Sequence, residues 1–211
     1  MNLTFEKQLW SQGYTHIVGV DEVGRGPLAG PLVAAAVILD PDHMIEGLND
    51  SKQLSAKKRQ ELLIQIKDKA IAYAYSFIDE ATIDTINIYQ ASKKGMLEAI
   101  KKLNVQPDYI LSDAMPLDES GLPYQAIIKG DSLSASIAAA SILAKETRDA
   151  YMKIQSQTYP GYDFEHNMGY PTKKHRDALK RIGICPIHRK SYKPVKDMIE
   201  QQLSFWEEEN V

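Results

Sequence analysis

Residues 17–31 read Ile-Val-Gly-Val-Asp-Glu-Val-Gly-Arg-Gly-Pro-Leu-Ala-Gly-Pro, and few folds can hold such a stretch. It begins as a short apolar run rich in β-branched residues, the pattern of a buried strand. Asp21 and Glu22 then stand where that strand should continue. A carboxylate at the edge of a core is costly unless it is paired or holds a cation. Gly24 and Gly26 follow, removing side chains where the backbone must turn or approach something closely. Arg25 between them can meet a phosphate. An isolated acid pair is more often a solvated turn, and the glycine spacing is not that of a dinucleotide loop. The combination carries the signal: acids that hold a cation, beside a basic glycine loop, suit a phosphodiester.

The remaining composition narrows the class. At 211 residues the chain suits one domain and buries roughly 70% of its unfolded surface. One cysteine, Cys185, excludes an internal disulfide and fits a reducing, cytoplasmic setting. The expected place of Cys185 is the core or a loop. No apolar run is long enough to span a bilayer. The net charge of −3 does not advertise nucleic-acid binding. Its distribution does: Lys173, Lys174, Arg176, Lys180, Arg181, Arg189, Lys190, Lys193 and Lys196 crowd one segment, with Asp177 the only acid between them. Such a run is usually a solvated face, but this one is one-signed.

Along the chain, residues 2–12 predict a short helix with Phe5, Leu9 and Trp10 on one face. Strands are expected at 17–20, 32–39, 70–78, 109–111 and 124–128. Ser55 can cap a helix through about Asp68 whose stripe is Leu62, Leu63 and Ile66. Residues 79–103 are helical in pattern, with Ile83, Ile86, Tyr89, Leu97 and Ile100 as core positions and Gly95 as a weak point. An alanine-rich helix from about Ser134 to Tyr151, a basic helix over 172–182 and a last helix opened by Pro194 complete the order. Residues 1–16 read as a lead-in, 17–159 as the core and 160–211 as a basic loop-and-helix segment. The fold class is α/β, a mixed five-stranded sheet flanked by helices.

Acids mark three strand ends: Asp21 with Glu22, Asp113, and Asp131. Neighbouring strands lie about 4.8 Å apart, so acids at one level can reach a common ion, or a pair of ions as in two-metal phosphodiester sites. That requires the first and fourth strands to be parallel neighbours. Four acids without a histidine or cysteine cluster favour Mg²⁺ or Mn²⁺ over zinc. His166, His175 and His188 lack metal spacing and read as surface or hydrogen-bonding residues.

At this point the residues resemble a family. DEVGRGPLAGP, DSKQLS, KGDSLSASIAAASILAKETRDA, the GYPT of 169–172 and HRKSYKPV look like bacterial type 2 ribonuclease H, ribonuclease HII. The resemblance covers nearly everything from Ile17 to Lys196. It implies the ribonuclease H fold and an endonuclease dependent on two Mg²⁺ or Mn²⁺ ions; a cytoplasmic monomer is expected. Such an enzyme cuts the RNA strand of RNA–DNA hybrids and incises 5′ of single ribonucleotides in duplex DNA, leaving 3′-hydroxyl and 5′-phosphate ends. That chemistry serves ribonucleotide excision and primer removal. The family's catalytic, metal-holding acids fall on Asp21, Glu22, Asp113 and Asp131. Its junction-reading loop falls on Gly24, Arg25 and Gly26, and its sugar-stacking tyrosine on Tyr170. Without that context Tyr170 would more often be a packed loop aromatic. Lys52 is a phosphate ligand or a solvated loop lysine, and Lys173 and Lys174 are candidate phosphate contacts. Two positions depart from the usual pattern: Ala114 stands where many members have glycine, and Met168 where many have lysine.

Rivals are the sister ribonuclease HIII, a binding module without activity, and a DNA-cutting relative on the same fold. Arg25 and the short segment before Ile17 argue against the first, since that type has lysine in the glycine motif and a long amino-terminal domain. Four acids beside a polyanion argue against the second. The tail Gln202-Leu203-Ser204-Phe205-Trp206 resembles the short peptide by which bacterial repair enzymes dock on the sliding clamp. Leu203 and Trp206 also continue the helical stripe of Val195, Met198 and Ile199, which begins well before the motif and runs through it in register, so the simpler reading is that they close the core.

Overall fold

The computed structural model describes residues 3–209, with side chains described as far as Gln201. The tail segment Gln202–Trp206 therefore lies outside the described side chains. Five strands form one mixed sheet: β1 (Ile17–Val23), β2 (Leu32–Ile38), β3 (Ala72–Ile78), β4 (Tyr109–Asp113) and β5 (Tyr124–Ile127), in the order β3-β2-β1-β4-β5. β1 pairs antiparallel with β2, and β2 with β3. β1 and β4 are parallel neighbours, as are β4 and β5. This is the neighbour relation that convergence of the acids required.

Helices cover both faces. They are α1 (Thr4–Ser11), α2 (Ala56–Lys69), α3 (Glu80–Lys101), α4 (Gly130–Leu133), α5 (Ala135–Thr158), α6 (Phe164–Asn167), α7 (Lys173–Ile182) and α8 (Lys193–Glu209). Successive residues of a strand face opposite sides, and β2 is buried on both. Leu32, Ala34, Ala36 and Ile38 meet Ile83, Met96, Ala99 and Ile100 of α3. Val33, Ala35 and Val37 meet Leu62 and Ile66 of α2 and the alanines of α5. β3 lies at the sheet edge and alternates, with Tyr73, Tyr75 and Phe77 facing solvent. A third apolar cluster joins Met152 of α5 to Phe164, Leu179, Cys185, Ile187 and Val195. It fixes α6, α7 and the start of α8 beside the sheet. Cys185 is buried there, as expected.

Caps set the helix starts. Ser55, Asp79, Ser134 and Thr172 each accept a backbone N–H in the first turn of α2, α3, α5 and α7, a contact worth about 1 kcal/mol apiece. The helix expected over 79–103 differs in two respects. It kinks at Asn87, which adopts φ 64° and whose side chain caps the next turn by accepting from Tyr89 and Gln90. Tyr89 is exposed rather than core, because the kink turns it outward from the stripe. Gly95 is no weak point. A β-carbon there would come within 3.2 Å of Ala34 and Leu32, so the glycine lets α3 lie directly on β2.

Candidate active site

The acids occupy one end of the sheet. Val20 pairs with Ser112 across β1 and β4, so the next residues, Asp21 and Asp113, stand at one level on adjoining parallel strands. Asp131 does not end a strand, contrary to expectation. It sits in the first turn of the short helix α4, after Lys129 takes a left-handed conformation (φ 58°). The N–H of Gly130 donates to Asp113 Oδ1 at 2.8 Å, which draws α4 over the end of β4. Carboxylate oxygens of Asp21, Asp113 and Asp131 then lie within 4.8 Å of one another. Glu22 is not one of the three whose oxygens converge, but its charge acts on Asp21 and that of Asp113 acts on it. Its Oε1 accepts from Arg25 at 3.2 Å, and its buried Oε2 has no partner.

This cluster is electrostatically loaded. Two full charges within 4.8 Å repel by about 3 kcal/mol at an effective dielectric of about 20. Burial, then the charges of Glu22 and Asp113, push the Asp21 carboxyl well above its ordinary value. Burial raises Glu22 too, with Arg25 opposing and Asp113 assisting. Burial and the charges of Asp113 and Asp50 raise Asp131. Lys52 offers partial relief, 3.7 Å from Asp131. Burial works against its charge, but Asp131, Asp50, Asp21 and Asp113 together hold its ammonium above the usual value. The donors are all carboxylate oxygens, one buried oxygen is orphaned, and the charge is only partly balanced. That set fits a hard divalent cation such as Mg²⁺ or Mn²⁺.

The glycine loop adjoins the acids. Gly24 takes φ 98°, and a β-carbon there would strike the Arg148 side chain at 2.4 Å; no other residue meets both demands. Arg25 and Gly26 are exposed. Gly26 faces the Tyr170 ring, and Tyr170 is 39% exposed. Lys173 and Lys174 are exposed on α7, making surface ion pairs with Asp177 and Asp163.

Several features escaped the sequence. Arg189 is not part of the basic surface: it is fully buried and binds carbonyls of the glycine loop. A one-signed run of cations gives no sign of which member turns inward. Arg148 is likewise buried under the loop; among Lys145, Glu146, Asp149 and Lys153 nothing in the sequence marks it as the one that turns inward. The Ser141 hydroxyl favours the charged form of Asp21 and pairs with Ser51 at 3.0 Å. His175 and His188 are hydrogen-bonding residues as expected, but buried against each other. Both departures from the usual motif fall at positive-φ positions. Ala114 adopts φ 54°, where glycine would be unstrained. Met168 also has positive φ and packs into the third apolar cluster.

The family model described as Ribonuclease HII matches residues 18–195. The ribonuclease HII of Listeria monocytogenes is 56% identical over 193 residues, spanning 92% of this chain and 74% of that protein. Among solved structures, the ribonuclease H2 from Pyrococcus horikoshii superposes with a TM-score of 0.75 at 27% identity, over 89% of this chain and 98% of that one. The ribonuclease HII of Archaeoglobus fulgidus, solved as a complex with PCNA, gives 0.74 at 27% identity over 84% and 95%. The sequence is thus matched along nearly the whole chain and the mixed sheet is matched in fold, and the chain belongs to the ribonuclease HII family.

Proposed function

We propose that the protein is a metal-dependent endoribonuclease that hydrolyses the RNA strand of RNA–DNA hybrids and incises 5′ of single ribonucleotides in duplex DNA. The products carry 3′-hydroxyl and 5′-phosphate ends, and the role is ribonucleotide removal and primer removal. The observation that supports it most is the convergence of Asp21, Asp113 and Asp131 from β1, β4 and α4, with their charge only partly balanced. Asp21 and Asp113 would hold both ions of a Mg²⁺ or Mn²⁺ pair, with Glu22 and Asp131 each serving one. Such a pair, when bound, neutralises phosphate charge and makes water a nucleophile at neutral pH. The chain's own residues position the strand. Arg25 and Gly26 present the exposed turn of the loop, where backbone groups can bond the 2′-hydroxyl that separates RNA from DNA. Tyr170 offers a ring beside Gly26 on which the following sugar can stack. Lys52 reaches toward a phosphate near Asp131, and Lys173 and Lys174 neutralise phosphates farther along the duplex.

The test is cleavage of a DNA duplex containing one ribonucleotide, beside an all-DNA duplex, with Mg²⁺ or with chelator. Cleavage confined to the ribonucleotide duplex and to added metal is expected. Activity in chelator, or equal cutting of all-DNA, would overturn the reading. A sliding clamp is a proposed partner through Gln202–Trp206, because the Archaeoglobus relative stands in complex with PCNA. Failure of a peptide spanning 200–211 to bind a bacterial clamp would remove that partner.

A further inference from the structure

The loop between β1 and β2 has few side chains to hold it, and two buried guanidiniums fix it from beneath. Arg189 donates to Gly24 O at 2.6 Å, to Arg25 O at 3.1 Å and twice to Gly30 O, at 2.7 and 3.0 Å. Arg148 of α5 donates to Pro31 O at 2.8 Å and to Ala29 O at 3.1 Å. It also donates to Met168 O at 2.8 Å, two residues before Tyr170. Both arginines are 0% exposed. Among the described residues neither has a carboxylate within ion-pair distance. Burial and the charge of Arg189 bring the Arg148 guanidinium down to about 10, still protonated at neutral pH. Buried cations without a carboxylate are costly, and apolar side chains would fill the space more cheaply.

Their consequence for the loop is directional. In a trans peptide the C=O and the N–H point opposite ways. Gly24 O and Arg25 O are drawn inward to Arg189, and Arg25 O also accepts from the Tyr192 hydroxyl. The N–H groups of Arg25 and Gly26 therefore point outward, on two exposed residues, and neither has an acceptor among the described residues. Arg148 meanwhile binds both the loop and the segment before Tyr170, and its guanidinium carbon lies 6.0 Å from the centre of the Tyr170 ring.

We propose that Arg148 and Arg189 are positioning residues for ribonucleotide recognition: they turn the Arg25 and Gly26 N–H groups toward the bound strand and set their distance from Tyr170. This rests on the reading of that loop and Tyr170 as the sugar-recognising elements. Arg189→Lys and Arg148→Lys test it, since each keeps the charge but loses the planar fork. Single-turnover cleavage of a duplex with one ribonucleotide is compared with binding of the all-DNA duplex, each variant being checked for native circular dichroism. Cleavage should fall about tenfold or more, the scale of removing charged hydrogen bonds, while all-DNA binding stays within about twofold. Cleavage unchanged in folded variants, or cleavage and binding falling in parallel, would overturn the proposal.

Tyr170→Ala runs alongside. If it retains wild-type cleavage, the sugar-recognition reading itself fails. If it loses cleavage while the folded lysine variants keep it, only the positioning role fails. Should the lysine variants not fold, the wild-type amide NMR signals of Arg25 and Gly26 decide, with Ca²⁺ replacing Mg²⁺ to hold back cleavage. They should shift more with the ribonucleotide duplex than with all-DNA, and equal shifts would overturn the outward-facing donors.

Discussion

The Nε2 atoms of His175 and His188 face each other 3.0 Å apart inside the apolar cluster that carries the Tyr170 segment. The bonds around them fix the protons. His188 Nδ1 accepts from the Cys185 N–H at 2.9 Å, so its own proton sits on Nε2 and is donated to His175. His175 then donates from Nδ1 to the carbonyl of Tyr170 at 2.9 Å. Both rings are neutral in this arrangement, and a second proton on either would set two N–H groups against each other.

That pair predicts acid sensitivity. Burial, then the neighbouring His175, brings His188 down to about 4 from an ordinary 6.5, and burial lowers His175 as well. Between those two values the unfolded chain binds the extra proton and the folded chain does not. Stability therefore falls as pH drops through that window, by about 3 kcal/mol for His188 alone. The raised carboxyls of Asp21, Glu22 and Asp131 act in the opposite sense in metal-free protein. Denaturant unfolding of wild type and His188→Gln between pH 7 and 4.5 isolates the histidine contribution. The variant should show a flatter pH dependence, and equal slopes would refute the assignment.

Asp113→Asn should reduce cleavage to background while leaving the fold intact. Removing one of three clustered charges relieves repulsion, so the metal-free melting temperature should hold or rise by about 2–4 °C per kcal/mol gained. Mg²⁺ or Mn²⁺ should raise the melting temperature of wild type and not of the variant. Near-wild-type cleavage would remove Asp113 from the metal site.

Tyr170→Ala should lower cleavage at a single ribonucleotide by about tenfold to a hundredfold, the scale of removing a stacking platform. Binding to an all-DNA duplex should change little, because the exposed lysines of α7 are untouched. Parallel decreases on both substrates would mean that Tyr170 only braces the loop.

Lys173→Ala combined with Lys174→Ala should make binding less salt-dependent, the slope shrinking by about 0.9 for each duplex phosphate that is no longer neutralised. Titrations across a range of salt concentrations measure it. An unchanged slope would place these lysines away from the duplex, engaged only with Asp177 and Asp163.

The sequence by itself determined the five strands and the longer helices, though not the short α4 and α6, since period, β-branching and breakers are local signals. It also singled out Ala114 and Met168 as departures, and both prove to be positive-φ positions. It could not reveal the kink at Asn87 or the value of Gly95, which depend on what α3 lies against. Only the tertiary structure decided that Asp131 reaches the site from a helical turn rather than a strand end, because the Gly130 N–H bond to Asp113 spans 17 residues. It alone separated Arg189 from the surface lysines around it. A cation's place, inward on carbonyls or outward in water, is set by partners 159 to 165 residues away in the chain. No local pattern encodes a partner at that distance.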